Sequence, residues 1–270
     1  MESRTVRLSA LSLSNDTMEG KLVANTFTQL AIKDGLDQAA IKQLQEALGF
    51  FEKFVEGLGF CLSKKGDLLS QWRGYASDGT GVAIGFSKDY LEWLAQNSIS
   101  DKPGFSIQEV KYELASHEIE IHPTYLEVKK LIDQGAFSFS GFRSLLDIRT
   151  DEEFQLEKEG KEKLRSALFI KLLDLFPKLF LLKSPAFSEE QEWRLISYFL
   201  LGSPETCSYR TLSDRLIPCR DFVMQELERK PIVEIILGPK HLTPLNVVQG
   251  FLKHCGFGEV KVRRSEASYR

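Results

Sequence analysis

Phe187-Ser188-Glu189-Glu190-Gln191-Glu192-Trp193-Arg194-Leu195-Ile196 decides the reading of this chain, because it ends a long helical middle and reopens the strands. From Trp193 to Leu200 the residues are mostly aromatic or apolar, the composition of a strand. Side chains alternate faces along extended backbone. Glu190, Glu192 and Arg194 are therefore expected on one face, with Gln191, Trp193 and Leu195 on the other. Two carboxylates and a guanidinium in a row are costly to bury unless they pair. One reading is a solvated ladder of ion pairs; the other is the wall of an active site.

Working outward, strands are expected before this stretch at Thr5–Ser14, Phe60–Ser63, Val82–Phe86 and Ser106–Tyr112. After it they are expected at Tyr209–Leu212, Arg220–Phe222, Ile232–Leu237 and Val260–Val262. Leu36 to Leu58 carries apolar residues at helical spacing, closed by Gly57 and Gly59. Ser87 caps a helix over Lys88–Gln96. Between about Ala115 and Leu182 the pattern is helical and charged, in pieces near Pro123–Gln134, Ala136–Ile148 and Glu152–Leu181. The chain closes on a strand–helix–strand unit, with Thr243 and Pro244 starting a helix that runs to Cys255. These expectations define an α+β protein with mixed or antiparallel sheets. It is read as one domain over residues 1–270, with a helical insertion at about 115–182.

At 43% hydrophobic, 270 residues can bury a large core. There are 35 basic and 38 acidic residues, a net charge of −3, and no long basic block. A broad footprint for duplex nucleic acid is therefore not expected, although a local groove for a single strand stays open. Cys61, Cys207, Cys219 and Cys255 form no Cys-x-x-Cys pair, which points away from a zinc site or a disulfide framework. The first fourteen residues lack the apolar core of a signal peptide. The most hydrophobic segment, Ala167–Leu182, is interrupted by Lys171, Asp174, Pro177 and Lys178. A soluble cytoplasmic protein with no membrane partner is expected.

Several motifs invite a functional reading beside a plainer one. Ser14-Asn15-Asp16-Thr17-Met18-Glu19 gathers polar groups, and it also has the form of a helix capping box. Leu62-Ser63, then Ser70-Gln71-Trp72-x2-Tyr75, joins hydroxyls, an amide and two aromatic rings ahead of the turn Ser77-Asp78-Gly79-Thr80-Gly81. Such a set suits a flat polar molecule, or equally a Trp/Tyr core pair. His117 and His122 are five residues apart, which is the wrong spacing for a helical metal site. Gly238-Pro239-Lys240 reads as a tight turn, since the glycine pattern of a phosphate loop is missing.

Four blocks together resemble the prokaryotic domain-of-unknown-function family 2971. They are Asn15-Asp16-Thr17-Met18-Glu19; Cys61-Leu62-Ser63 continuing through Gln71-Trp72-x2-Tyr75 to Gly81–Phe86; Phe187-x2-Glu190-x-Glu192-Trp193-Arg194-Leu195; and Ile232–Pro239 with Ser265-x3-Tyr269-Arg270. That family in turn looks similar to the ADP-ribosyltransferases, which use NAD as substrate and are built on a split sheet. The resemblance implies Glu192 in the place of the catalytic glutamate, Glu190 beside it, and Leu62-Ser63 as the serine strand bracing NAD. The Tyr-rich strand that usually opens the family has no counterpart ahead of Asn15.

What the resemblance implies chemically is cleavage of the nicotinamide–ribose bond, which builds positive charge on the ribose. A fixed carboxylate stabilises that charge. Glu192 would meet the ribose, Glu190 would orient or deprotonate an acceptor protein or nucleic acid, and Arg194 would hold the glutamates. Ser63, Gln71, Trp72, Tyr75, Arg194 and Asn15 would bind the cofactor, with no metal required. Two alternatives stand beside this reading. One is a catalytically inactive recognition or scaffold module of the same fold. The other is a metal-dependent nuclease using Asp16, Glu19, Glu190 and Glu192.

Overall fold

The computed structural model describes residues 2–14, 18, 20–97, 104–138, 149–200, 207–212 and 214–269. The fold is α+β, and the chain divides into two compact units. One comprises Met1–Leu13, Glu56–Val110 and Ala186–Arg270; the other comprises Ser14–Val55 and Lys111–Pro185.

The first unit holds both sheets. Its strands are β1 (Thr5–Ala10), β2 (Val55–Ser63), β3 (Val82–Phe86), β4 (Ser106–Glu109), β5 (Glu192–Leu200), β6 (Ser208–Leu212), β7 (Arg215–Val223), β8 (Ile232–Leu237) and β9 (Lys261–Arg264). Six of them form a sheet in the order β4-β5-β2-β1-β7-β6, and three form a sheet in the order β3-β8-β9. β1 pairs antiparallel with β2 and β7, as do β4 with β5 and β6 with β7. β8 is antiparallel to β3 and parallel to β9. That parallel step follows from the intervening helix Leu245–His254, which carries the chain back to its starting edge. Leu8, Leu58, Leu195 and Leu237 are fully buried in this unit's core, each contributing roughly 1.5–3 kcal/mol. That apolar burial is what offsets the cost of the charged groups set among these strands.

Helices make up the second unit: α1 (Lys21–Lys33), α2 (Gln38–Phe54), α5 (Leu114–Asp133) and α6 (Asp151–Leu173). Phe27 of α1 meets Tyr125 of α5 edge to face, with ring centroids 5.4 Å apart. The expected insertion at 115–182 thus shares its unit with the helices of residues 14–55. Thr150 and Glu153 form a reciprocal capping box at the start of α6. Among the described residues, no helix is long and apolar enough to cross a membrane.

Several expectations need correction. The helix expected over Leu36–Leu58 stops at Phe54, and β2 takes over at Val55. Val55, Glu56, Gly57, Leu58 and Gly59 are all buried, so apolar residues recur here without marking one helical face. Helix α5 starts at Leu114 and keeps Pro123 inside it rather than at its first turn. Helix α1 is capped by Gly20 in left-handed backbone (φ 79°), without a side-chain cap. Asp16, Thr17 and Glu19 lie outside the described residues, as does most of the expected helix Ala136–Ile148. In the first unit, α3 spans Leu69–Tyr75 and α4 spans Lys88–Asn97, where the Ser87 hydroxyl caps the Tyr90 N–H. Helix α7 spans Leu245–His254, so Pro244 takes the cap position that Thr243 was expected to fill.

Candidate functional site

Gln191 separates the two glutamates. A 3₁₀ turn over Pro185–Glu190 ends at Glu190, and Gln191 then adopts left-handed backbone with φ 43°. β5 begins only at Glu192, where the strand's regular pairing also begins, Val110 N–H donating to the Glu192 carbonyl at 3.0 Å. The strand alternation expected to put Glu190 beside Glu192 is broken by that one residue. Glu192 and Arg194 do share a face of β5. Arg194 Nε donates to Glu192 Oε1 at 2.6 Å and Nη2 to Oε2 at 3.0 Å, a two-pronged pair. Both residues are buried, with 4% and 1% of their surface exposed. The carboxylate is thus engaged on both oxygens inside the protein by a guanidinium two residues along the same strand.

Glu190 has a different setting. The Ser63 hydroxyl, at the end of β2, donates to the Glu190 carbonyl at 2.8 Å, and Lys64 N–H donates to the Gln191 carbonyl at 2.9 Å. The Tyr75 hydroxyl, at the end of α3, lies 3.5 Å from Glu190 Oε1, the outer limit of a hydrogen bond. Tyr75 is 64% exposed. Three residues from separate parts of the chain therefore form one corner. Gln71 is half-buried one helical turn before Tyr75. Trp72 is buried within the unit, where its indole N–H donates to Asp67 Oδ1 at 2.7 Å, so it offers no ring to a ligand. Asn15 lies outside the described residues.

Asp67, which the sequence did not single out, is the hub behind α3. Its carboxylate accepts from Trp72, from Ser265 Oγ at 2.5 Å, from the Glu266 N–H at 2.7 Å and from Arg263 Nη1 at 3.4 Å. Asp78 accepts from Lys240 Nζ at 2.8 Å and from the Tyr269 hydroxyl. At Asp78 and beside it the backbone is strained. Ser77 (φ 47°), Asp78 (φ 56°) and Gly79 (φ 84°) are left-handed in succession, at about 1–2 kcal/mol for each non-glycine residue. Gly79 and Gly81 N–H both donate to the Ala76 carbonyl, closing the turn at 3.1 and 2.9 Å. Gly238 packs directly on it: a Cβ there would sit 2.3 Å from the Gly79 carbonyl oxygen. The residue pattern Gly238-Pro239 is thus a turn, closed by His241 N–H on the Gly238 carbonyl, that receives a second turn.

Both aspartates titrate low. Burial pushes the Asp67 carboxyl up, but its donors from Ser265, Glu266, Trp72 and Arg263 together hold it below its usual 3.8. Lys240 and then Tyr269 do the same for Asp78. A folded value below the unfolded one makes this contribution complete above about pH 3.8, and lost as pH falls through the lower folded values. An acid titration followed at the Trp72 indole N–H resonance should therefore show a step below that point. Asp67→Asn should abolish it.

Among the described residues, no three His, Cys, Asp or Glu side chains gather to hold a metal ion, and Asp16 and Glu19 lie outside them. His117 and His122 both lie on α5, and His117 Nε2 is engaged by the Lys111 carbonyl at 2.8 Å. Neither a curated protein nor a solved structure matches the chain. Residues 71–195, running from within α3 to within β5, match the model of a family described as a protein of unknown function, DUF2971. This part of the chain is therefore a DUF2971 family domain.

Proposed function

We propose that the Ser63–Tyr75–Glu190 corner is a recognition site for a small polar molecule with a flat ring, NAD being the first ligand to test. The observation that carries this reading is the exposed Tyr75 ring beside the Glu190 carboxylate, with Ser63 fixing the Glu190 backbone. An exposed aromatic face supplies stacking area, and a carboxylate accepts from ribose hydroxyls or a carboxamide. Recognition without turnover is favoured by the state of Glu192. Its charge is already taken by Arg194 inside the protein, whereas a carboxylate that stabilises a developing cation must reach the reacting carbon.

A second reading keeps the chemistry and moves it. In an NAD transferase or hydrolase, Glu190 rather than Glu192 would carry the reacting charge. The left-handed Gln191 favours it, because that bend sets Glu190 apart from the buried pair.

One experiment separates the readings: NAD affinity and nicotinamide release for wild type, Tyr75→Ala, Glu190→Gln and Glu192→Gln. The recognition reading expects binding weakened about tenfold by Tyr75→Ala, the loss of one stacking ring, with no release from any protein. Release by wild type that drops on the order of a hundredfold in Glu190→Gln establishes the second reading. A wild type that neither binds nor cleaves NAD rejects NAD in both.

A further inference from the structure

We propose that residues 265–269 act as a strap that holds α3 and the left-handed turn after it, and thereby positions the Tyr75 side of the corner; the last step rests on the ligand-binding reading. The strap leaves β9 at Ser265, whose N–H donates to the Leu237 carbonyl at the end of β8 at 2.8 Å. It then runs past both aspartates. Ser265 Oγ and the Glu266 N–H bind Asp67, and the Tyr269 hydroxyl binds Asp78. The Arg73 guanidinium lies over the Tyr269 ring at 5.2 Å and Lys240 Nζ at 4.0 Å.

Two features make this a device rather than a fixed wall. Its side chains bury little apolar surface, Glu266 and Ser268 being exposed and Ser265, Ala267 and Tyr269 half-buried, so it is held by polar contacts. Segments held in this way belong to the low-stability end of a protein's local openings. What it holds, by contrast, is strained: Ser77 and Asp78 sit in backbone that non-glycine residues avoid. Releasing the strap therefore frees a turn that has reason to relax. Because Asp67 also holds the Trp72 indole, three residues from Tyr75, the release is felt along α3.

Hydrogen exchange tests the strap without any ligand. The reporters are the Gly79 amide, bonded to the Trp72 and Ala76 carbonyls, the Gly81 amide, bonded to the Ala76 carbonyl, and the Gly238 amide, bonded to the Gly81 carbonyl; the Val110 amide on the Glu192 carbonyl is the internal reference. In the double variant Ser265→Ala/Tyr269→Phe, exchange at the three glycines should rise about tenfold, with Val110 unchanged. Ser268→Ala, on the same segment, should leave all four as in wild type. Unchanged glycine exchange in the double variant overturns the strap. So does an equal rise at Val110, which would mean general destabilisation. NAD affinity is then measured on the same proteins. Loss of affinity in the double variant supports positioning of the corner, and faster exchange with full affinity overturns it. If wild type takes up no NAD, the ligand reading fails and exchange alone decides the strap.

Discussion

Replacing Arg194 by alanine should cost about 3–5 kcal/mol of stability. The mutation leaves the Glu192 carboxylate buried with its two-pronged partner gone. A buried charge stripped of its two-pronged partner is what makes such a change severe. Glu192→Gln should be milder, since the amide oxygen still accepts from the guanidinium while the amide nitrogen, facing another donor, does not. Denaturant unfolding of the two variants beside wild type checks the order. Equal and small losses in both would mean that the pair contributes little to stability.

Gly238→Ala should cost about 3 kcal/mol, the upper end of what overpacking does, because the obstacle is backbone. An added methyl would lie 2.3 Å from the Gly79 carbonyl oxygen and 2.9 Å from the Gly81 oxygen. Neither can swing aside as a side-chain tip would. The Gly238 N–H bond to Gly81 and the Lys240 N–H bond to Gly79, both 3.0 Å, would be broken together. Gly74→Ala, inside α3 where nothing lies within 4 Å of the added atom, is the control and should leave stability unchanged or raise it by up to about 1 kcal/mol. A melting temperature for Gly238→Ala equal to that of the control would contradict the close approach of the two turns.

Much of this architecture was legible in the composition of short segments. Aromatic and apolar residues marked β5, and an apolar run followed by a helix start and a glycine stop marked the β8–α7–β9 unit. Alternation also placed Glu192 and Arg194 on one face, two residues apart. What was not legible depends on backbone choices that side chains do not announce. Glutamine has no special preference for left-handed backbone, so nothing in Gln191 signals the bend that removes Glu190 from that face. Leu36–Leu58 misled for another reason: the buried start of β2 continues the apolar pattern of α2 without a break. Asp67 was invisible because its donors come from Trp72, Arg263, Ser265 and Glu266, and only folding brings them together. Trp72 and Tyr75 look alike as ring donors in the sequence; the Asp67 bond to the indole is what separates a buried strut from an exposed face.

On the proposed reading a ligand meets Tyr75 and Glu190 and not the buried Glu192–Arg194 pair or Trp72. The direct measurement is an NMR titration with NAD of protein labelled at tyrosine ring carbons and at indole nitrogens, the Tyr75 signal being assigned from Tyr75→Phe. Saturable movement of the Tyr75 ring signals is expected, lost in Glu190→Gln, while the Trp72 indole N–H stays on Asp67 and shifts least of the assigned rings. Saturable binding that moves Trp72 and leaves Tyr75 in place would contradict it.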